Sequence, residues 1–456
     1  MQLNVKNEGK RWPQVLCMVI VSLGCFSVGL HWSWSSPFSL VLSQDKINYN
    51  ISEEETSYFL IFQPLGMMIF SPFYYKISEY LGTKKSLWML GIPHLLSWIT
   101  AAVSTSKWEF YTSRFLAGVA DAVFFCAGPP YIGEVTTPTI RGYWGFMPIF
   151  AVYLGALIIT ALAIYLDVII SSCINMVPSI LFLLMMWFLP ESPYQLIKDG
   201  KFEQAKECLK WLRRKSDVEE DFMHIKTAVE SSLAHKSKFK ELLTVKSNRR
   251  GLRAGVLVRC GQQFSGISIF MNYSQMIFLK VGGNFSPQVS SMVFLATAAG
   301  FNVICSSLIE RFGRKVTFIT SAFACGIVLI LMSSYFFLDE YNLVNLEGLE
   351  WFPLMGLILF IIVYSPGVGI IPTLMLGELF TGSTKYKSLC VLSGAFAVAV
   401  LLTAMFFNLL NAYVGLYGPF LVYGLSCLVS GALALRWMPE TKGKTLEEIQ
   451  QNLQSR

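Results

Sequence analysis

Two ionisable side chains stand within apolar sequence, where they can do chemistry that their neighbours cannot. Arg114 and Asp121 are seven residues apart, which on a helix is two turns along one face. An ionisable residue inside a membrane-spanning helix is a functional candidate by default. Either Asp121 carries a proton with Arg114 as its partner, or Asp121 is structural and pairs with Arg114 or with a neighbouring backbone group. His31, in the first apolar run, is the third candidate for coupling.

A second pattern places a carboxylate and a cation at a fixed spacing. Glu134 precedes Arg141 by seven residues, and Glu378 precedes Lys385 by seven. Such charges at helix ends can form ion pairs between two halves of a protein, and an arginine binds a carboxylate through two hydrogen bonds. The alternative is a solvated collar of surface charges. The candidates for gating pairs are Glu134, Arg141, Glu191, Glu310, Arg311, Arg314, Glu378, Lys385 and Glu440.

The composition indicates which kind of element must position these residues. Of the 456 residues, 54% are hydrophobic and 14% are charged, whereas soluble domains have about 25% charged residues. A lipid bilayer can surround so much apolar surface, and we therefore expect a membrane protein. The formal net charge of +7 is too small to indicate a nucleic-acid partner.

The sequence lacks the common motifs for metals, disulfides and catalysis. The ten cysteines are scattered, mostly within apolar runs, and none forms a CxxC pair, so they predict neither a zinc site nor a disulfide framework. No HExxH, GxSxG or Walker-type sequence occurs. We therefore expect no catalytic residue, no metal, no cofactor and no enzyme activity.

Twelve apolar stretches are long enough to cross a bilayer, which takes roughly 20 residues of helix. The first stretch is long and lacks a small-residue cleavage site, which favours a retained span over a signal peptide. The number of stretches excludes a seven-span receptor. The predicted spans are 14–37, 58–78, 86–105, 109–132, 143–166, 170–190, 252–279, 286–309, 315–337, 351–379, 387–410 and 412–437.

A polar segment divides the spans six and six. It contains helical patches, one of which places Ala205, Cys208, Leu209 and Leu212 on a single face. The predicted domains are an N-terminal six-helix bundle at 1–190, a cytoplasmic linker with short helices at 191–250, a C-terminal six-helix bundle at 251–438 and a cytoplasmic tail at 439–456.

The distribution of lysine and arginine predicts the orientation in the membrane. With a cytoplasmic N-terminus, the outer loops hold only Lys46, Lys107 and Lys280, and nearly all other basic residues fall inside. Two Asn-x-Ser sequences, at Asn50 and Asn284, then lie outside, where glycosylation takes place. We therefore expect both termini in the cytoplasm and glycosylation at these two asparagines.

The two halves repeat the same short sequences in the same order. Residues 81–85 follow the second span and 312–315 follow the eighth, and a Glu-x6-Arg or Glu-x6-Lys spacing follows the fourth and the tenth. Pro-Glu sequences at 190–193 and 439–443 end the sixth and the twelfth. Three ordered matches, each offset by roughly 230–250 residues, indicate two bundles of similar structure.

These sequences resemble the signature set of the sugar porter branch of the major facilitator superfamily. The Pro-Glu-Ser-Pro of that family stands at 190–193, and its closing Pro-Glu-Thr-Lys-Gly stands at 439–443. Residues 310–315 match its loop after the eighth span, and residues 262–267 match the start of its seventh span. The resemblance extends over the whole chain.

The resemblance implies a fold and an activity. Residues 34–37 and Pro148 are similar to the insect facilitated trehalose transporter branch. The implied fold is an all-α membrane protein with twelve transmembrane helices in two six-helix bundles, the major facilitator fold, with its site near the membrane midplane. The implied activity is facilitated transport of a sugar of the trehalose or hexose class by alternating access. The implied protein is a monomer in the cell membrane, in contact with lipid and with no nucleic acid.

The resemblance also implies where a sugar binds. Such a site needs fixed hydrogen-bonding groups in a cavity, although polar groups in spans can also bond to neighbouring helices. The chain departs from the family pattern, because Ser268 stands where asparagine is usual and Thr373 stands where the tenth span of the family has a tryptophan. The substrate-binding candidates are Gln262, Gln263, Ser268, Asn272, Tyr273, Asn302, Gly369 and Thr373.

Three alternatives remain open at this point. Proton-coupled relatives have an aspartate in the first span, where this chain has His31, so passive transport is the expectation and a symporter that uses Asp121 is the first alternative. The changed sugar-contact positions also allow a sensor that binds sugar without moving it. The third alternative is a carrier of another small polar solute.

Overall fold

The structure, a computed structural model, describes residues 11–234, 238–281, 286–346, 348–380, 384–444 and 446–455. Within these ranges it describes all side chains except those of residues 138, 142, 232, 234, 281, 306–310, 446, 447 and 455. The regular structure in the described ranges is entirely helical. The predicted all-α membrane fold is therefore confirmed.

Each of the twelve predicted spans is helical. Ten described helices are long and apolar enough to cross a membrane, and the second and seventh spans complete the set. The helices of the first six spans are Trp12–Gln44, Phe59–Leu81, Thr83–Trp88 with Gly91–Val103, Lys107–Val135, Met147–Tyr165 and Val168–Phe188. Those of the last six are Lys246–Phe264 with Ile267–Val281, Pro287–Phe312, Arg314–Glu340, Phe352–Tyr364 with Ser365–Gly369 and Ile371–Glu378, Lys385–Val414 and Tyr417–Trp437.

The seventh span is broken near its middle. Gly266 has a φ of +84°, which glycine adopts at little cost and other residues rarely adopt. A Cβ at this position would also lie 2.5 Å from the Tyr423 ring. The break separates the helix Lys246–Phe264 from the helix Ile267–Val281. Polar side chains on both pieces are thereby brought to the middle of the fold.

The tenth span is interrupted as well. Pro366 cannot donate a backbone hydrogen bond, and the chain forms a π-helical turn over Ser365–Gly369. Such irregular backbone within a membrane is tolerated where it packs against protein. Ser321 of the ninth span donates to the Val363 carbonyl at 2.6 Å and accepts from the Val368 amide at 3.2 Å. This pair of contacts satisfies backbone groups that the interruption leaves without helical partners.

Glycines bring the second and fourth spans into direct backbone contact. A Cβ at Gly118 would lie 1.8 Å from the carbonyl oxygen of Gln63, and one at Gly66 would lie 2.3 Å from that of Phe115. No larger residue fits at either point without separating the two helices. The close approach places the Gln63 side chain within reach of Asp121, one turn further along the fourth span.

The first helices of the polar segment between the halves fold against the first half, whereas the last one packs against the seventh span. The helices of the segment are Pro193–Lys198, Phe202–Arg213, Glu219–Ala234 and Glu241–Thr244. The predicted apolar face of the second of these helices is buried at all four positions. Arg213 donates to the Val135 carbonyl at 3.2 Å, and Gln14 donates to the Leu212 carbonyl at 3.2 Å. These bonds attach the segment to the ends of the first and fourth spans.

Candidate functional site

A small cavity lies between the two halves of the molecule. Its volume is about 30 Å³, which is room for one or two water molecules. The first, second and fourth spans form one wall, and the seventh and eleventh spans form the other. The lining residues are Trp32, Leu60, Gln63, Pro64, Met67, Asp121, Ser268, Ile269, Asn272, Phe396, Val400 and Ala404.

Asp121 is the charged residue of the cavity wall. Its Oδ2 accepts hydrogen bonds from Trp32 Nε1 and Gln63 Nε2, both at 2.8 Å. Its Oδ1 lies 3.8 Å from His94 Nε2 and accepts no hydrogen bond from the described residues. One carboxylate oxygen therefore fixes the wall, while the other keeps capacity to accept a hydrogen bond from a hydroxyl group in the cavity.

Arg114 does not pair with Asp121, and the predicted direct contact between them is wrong. Seven residues on a helix are about 10 Å along the axis, too far for the short aspartate side chain. Arg114 instead donates to the His31 carbonyl at 3.3 Å and to Ser113 Oγ at 3.1 Å. Its guanidinium lies 4.2 Å from the Trp34 ring centroid. These contacts hold the cation inside the first half, away from the cavity.

His31 belongs to the same buried cluster. Its ring stacks on Trp98 at 4.1 Å and on His94 at 4.6 Å. Among the described residues, neither ring nitrogen of His31 has a hydrogen-bond partner. The three residues expected to take part in coupling therefore lie near one another, and His94 is the residue between His31 and Asp121.

Two of the predicted substrate-binding residues line the cavity, Ser268 and Asn272. The Asn272 amide donates to the carbonyl of Ser268 at 2.8 Å, while its Oδ1 is buried without a partner among the described residues. Gln263 lies behind them and accepts a hydrogen bond from the Ser268 hydroxyl. Ser268, where the chain departs from the family pattern, therefore lines the cavity.

The other predicted substrate-binding residues lie outside the lining. Gln262 donates to the carbonyl of Gly369 at 2.8 Å, which joins the broken seventh span to the broken tenth. Tyr273 donates to Asn408 Oδ1 at 3.1 Å. Asn302 donates to the Ala298 carbonyl of its own helix at 3.1 Å, and Thr373 is half-buried in the tenth span. In this conformation Gln262 and Tyr273 bond to neighbouring helices, as the alternative hypothesis for polar residues in spans allows.

Three aromatic rings close the cavity at one end. Trp32 and Phe125 of the first half lie against Phe396 of the second, with ring centroids 5.7 and 4.9 Å from that of Phe396. We call these three rings the aromatic floor. Because they come from both halves, the floor opens when the halves separate at this end.

Arg259 lies beneath the aromatic floor, and the sequence analysis missed it. Its guanidinium carbon is 4.2 Å from the Phe396 centroid and 4.7 Å from the Phe125 centroid. Nη1 donates to Gln262 Oε1 at 3.0 Å, but Nε and Nη2 are buried with no partner among the described residues. An arginine seven residues inside the predicted span 252–279 was the available signal.

Serine hydroxyls join the halves on the opposite side of the cavity. Ser36 of the first span and Ser274 of the seventh are 3.0 Å apart, oxygen to oxygen. Ser33 donates to the Met271 carbonyl at 3.2 Å. The cavity is therefore closed at both ends, and the structure is an occluded conformation.

Equivalent carboxylates organise the side that carries the Pro-Glu sequences, called the motif side below. In the first half, Ser192 donates to Glu134 at 2.6 Å; in the second, Thr441 donates to Glu378 at 2.6 Å. Both hydroxyl groups come from the residue after a Pro-Glu pair. The internal repeat found in the sequence is therefore also a repeat of contacts.

Two of the predicted gating residues, Arg314 and Glu378, form an ion pair inside the second half. Arg314 contacts Glu378 at 3.3 Å. Thr83, at the matching position of the first half, donates to Glu134 at 2.8 Å. In this conformation, the hypothesis that such pairs join the halves is therefore wrong for Arg314 and Glu378, because equivalent sequence positions contact equivalent partners inside each bundle.

Other residues provide the contacts between the halves on the motif side. Tyr386 of the eleventh span donates to Glu134 Oε1 at 3.2 Å. Lys387 of the same span lies 3.7 Å from Glu79 of the second. Sequence reasoning found Glu134 but not its partner, since a tyrosine beside Lys385 carried no signal of its own.

The remaining gating candidates lie around these contacts. Burial raises the pKa of Glu191, and the nearby Lys84 opposes this shift. Burial also opposes ionisation of Glu440, but four backbone amides donate to its carboxylate and the net effect is a lowered pKa. Arg141 lies close to Gly133 and to Lys385, and Arg311 lies beside the ring of Phe312.

Two predicted positions lie outside the described residues, the side chain of Glu310 and Asn284. The other predicted glycosylation site, Asn50, is exposed, with a φ of 45°.

Comparison with protein families gives one match over almost the whole chain. The model of the family described as "Sugar (and other) transporter" matches residues 14–453. The facilitated trehalose transporter Tret1 of Polypedilum vanderplanki is 28% identical over 98% of this chain and 89% of its own length. Tret1 of Bombyx mori is 28% identical over 97% and 87%. Tret1 of Aedes aegypti is 28% identical over 98% of this chain, which spans 56% of that relative.

Solved structures show the same fold. The proton:xylose symporter XylE bound to 6-bromo-6-deoxy-D-glucose superposes with a TM-score of 0.82 at 20% identity, covering 96% of this chain and 99% of the other. The inward-open conformation of XylE from E. coli gives a TM-score of 0.75 at 20% identity, with the same coverage. The chain is thus more similar to the sugar-bound structure than to the inward-open one.

Proposed function

The chain belongs to the sugar transporter family, and from that premise we propose that it moves a sugar of the trehalose or hexose class down its gradient by alternating access. One observation carries the proposal: a cavity that holds a few polar groups lies between the halves and is closed at both ends, by different residues at each end. Its volume of about 30 Å³ is too small for a sugar. A solute therefore enters only when the halves separate on one side, which is the geometry of an alternating-access carrier.

The polar groups of the cavity suit a neutral, hydroxyl-rich solute. Asp121 Oδ1 and Asn272 Oδ1 are acceptors without hydrogen-bond partners among the described residues. Sugar hydroxyls are donors that can satisfy both, and the indole of Trp32 offers an aromatic face beside them. Buried acceptors without partners cost free energy, so a ligand that pairs with them gains specificity over one that does not.

Uptake into proteoliposomes tests the proposal. Purified protein is reconstituted, and entry of radiolabelled trehalose and glucose is followed with each sugar at higher concentration outside. The expected result is saturable uptake that stops when the concentrations are equal. Protein that binds either sugar but admits none would be a sensor, and uptake of a different small polar solute alone would place the substrate outside the sugars.

A second candidate is a proton-coupled symporter, favoured by the position of His94 Nε2 at 3.8 Å from Asp121. A carboxylate and an imidazole at this distance can exchange a proton through a small rearrangement. Passive transport remains the proposal because Asp121 Oδ2 is already engaged by Trp32 and Gln63. An imposed pH gradient separates the two candidates.

We further propose that the motif side faces the cytoplasm, with both termini and residues 191–250 there and with Asn50 outside. The bias of lysine and arginine supports this orientation. The proposed protein is a monomer of the cell membrane with domains at 1–190, 191–250, 251–438 and 439–456. Labelling of single cysteines introduced at positions 47 and 230 tests the orientation, since only the first should react from outside intact cells.

A further inference from the structure

A groove much larger than the central cavity runs along the outside of the second half. Its volume is about 700 Å³, within the range of sites that hold small-molecule ligands. The seventh span contributes one wall, from Leu252 to Phe264, and the twelfth span contributes the other, from Val422 to Trp437. The two helices meet at the base, where a Cβ on Gly261 would lie 2.8 Å from Ser430 Oγ. The groove shares no lining residue with the sugar cavity, and all of its lining residues belong to the second half.

The length of the groove matches one leaflet of a bilayer. Residues 253–264 of the seventh span cover about 16 Å at 1.5 Å per residue. The apolar part of one leaflet is about 15 Å, half of a core of roughly 30 Å. The groove begins near the motif end of the span and stops at Phe264, just before the break at Gly266. It therefore extends from one membrane surface to the midplane.

Between its ends the groove is almost entirely apolar. Its walls carry leucine, valine and phenylalanine side chains, together with Cys260 and Ser426. A lipid acyl chain is complementary to such a surface, whereas a sugar or a peptide backbone would lose its hydrogen bonds to water there.

The charge lies at one end only. Arg253 lines the groove at its motif end and is exposed. Within the described part of the chain, its side chain makes no hydrogen bond or ion pair. The neighbouring Arg250, in contrast, donates to the Leu453 carbonyl at 3.0 Å. Arg253 is thus a cation available to an external anion at the level of the lipid headgroups.

Two further residues of the twelfth span support a headgroup at the same end. Trp437 lines the groove there and is 39% exposed, and tryptophan favours the membrane interface. Arg436 precedes it and is exposed. Basic pockets between spans on the cytoplasmic side are suited to anionic lipid headgroups, because that leaflet is negatively charged.

We propose that this groove binds a single anionic phospholipid, with one acyl chain between the seventh and twelfth spans and the phosphate on Arg253. The identity of the leaflet rests on the proposed orientation, but the binding itself does not. The seventh span also carries Ser268 and Asn272 into the sugar cavity, so a lipid in the groove contacts a span that lines the cavity as well.

The experiment measures thermal stability of the purified full chain in neutral detergent. Phosphatidylglycerol is titrated in, and phosphatidylcholine with the same acyl chains serves as the comparison. The expected result is a saturable rise in Tm with phosphatidylglycerol only. Arg253→Gln should weaken the apparent affinity about tenfold, as loss of one charge-assisted contact does. Lys76→Gln, which removes an exposed cation from the second span, should leave the affinity unchanged.

Variants that fill the groove test the acyl chain separately from the charge. Ser426→Trp and Val422→Trp, one helical turn apart on the twelfth span, both keep Arg253 but block the apolar part of the groove. The rise in Tm with phosphatidylglycerol should be lost in both variants. Two variants guard against a folding defect in either one, and the Tm of each variant without added lipid, compared with that of the unmodified chain, reports on folding.

Three results would overturn the proposal. Equal stabilisation by phosphatidylcholine would mean that the groove holds bulk lipid. Full stabilisation by soluble glycerol 3-phosphate would mean a free-anion site. An unchanged affinity for phosphatidylglycerol in Arg253→Gln would mean that the phosphate does not bind Arg253. These three tests measure Tm and not transport, so they remain valid if the chain moves no sugar. The lipid proposal and the transport proposal therefore fail independently.

Discussion

The indole nitrogen of Trp32 donates to Asp121 Oδ2 at 2.8 Å, and the same indole ring lies against Phe396 of the other half. One side chain thus connects the charged wall of the cavity to its aromatic floor. A solute hydroxyl that approaches Asp121 acts on the residue that helps to close the cavity. This connection provides a physical route from substrate binding to opening, through a side chain that contacts both the cavity wall and the other half.

Disulfides placed at the two closures should stop transport from either side. Ser36 and Ser274 are 3.0 Å apart at the serine closure. Beside the aromatic floor, Ser71 of the second span and Ser393 of the eleventh are 3.1 Å apart. Paired cysteines at either site therefore have side chains close enough for a disulfide. Each pair should reduce sugar uptake more than tenfold under oxidant, with recovery under reductant. The four single-cysteine variants are the controls, and uptake that persists in a cross-linked pair would mean that the halves do not separate there.

Tyr386→Phe should favour opening on the motif side. It removes a hydrogen bond between the halves worth about 1 kcal/mol, which shifts the equilibrium about fivefold. Thr441→Val removes a hydrogen bond to Glu378 within the second half and should leave the equilibrium unchanged.

The measurement for this pair is the labelling rate of a cysteine at position 133. Gly133 lies between Arg141 of the first half and Lys385 of the second, and a Cβ there has ordinary contacts of 3.6 and 4.0 Å. The same variants without the reporter correct for native cysteines. Faster labelling in Thr441→Val than in Tyr386→Phe would mean that contacts inside each half, and not the bond between Tyr386 and Glu134, control opening on the motif side.

Asp121→Asn should keep the fold and weaken sugar binding without revealing proton coupling. The amide oxygen can accept from Trp32 and Gln63 as Oδ2 does, but the second oxygen is lost as an acceptor. We expect about tenfold weaker sugar affinity and, in the unmodified protein, no uptake driven by a pH gradient at equal sugar concentrations. Gradient-driven uptake that disappears in Asp121→Asn would instead establish the symporter.

Arg259→Leu should stabilise the occluded conformation and slow transport. The cation is buried with two nitrogens unpaired, so its removal eliminates a desolvation cost of about 1–3 kcal/mol that opening relieves. We expect a higher Tm and lower turnover. Arg114→Leu removes the same charge inside the first half but breaks two hydrogen bonds, whereas Arg259→Leu breaks one, and the Tm of Arg114→Leu should fall. A lower Tm in both variants would contradict the assigned role of Arg259.

The helices were predictable because membrane spans are encoded locally. Each needs only its own apolar length, and even the second span, with Gln63, Lys76 and Glu79 inside it, was found from its sequence. The break at Gly266 was not predicted, because it depends on the fit of the chain against Tyr423 in another span.

The site was predictable only in part, because its contacts join distant positions. Asp121 was identified from its charge in apolar sequence, but its partners Trp32 and Gln63 are 89 and 58 residues away, and no local spacing indicates them. The repeat identified Glu134 and Glu378 as equivalent. Equivalence does not say whether a residue faces its own half or the other, which is why Tyr386 was missed.

The size of the central cavity has a consequence for inhibitors. A volume of about 30 Å³ admits no drug-sized compound, so a competitive blocker has to capture a form of the carrier that is open on one face. Such a compound would act from that face alone, and its potency would depend on how often the carrier presents it. Screens run with intact cells and with inverted vesicles should therefore return different chemical series.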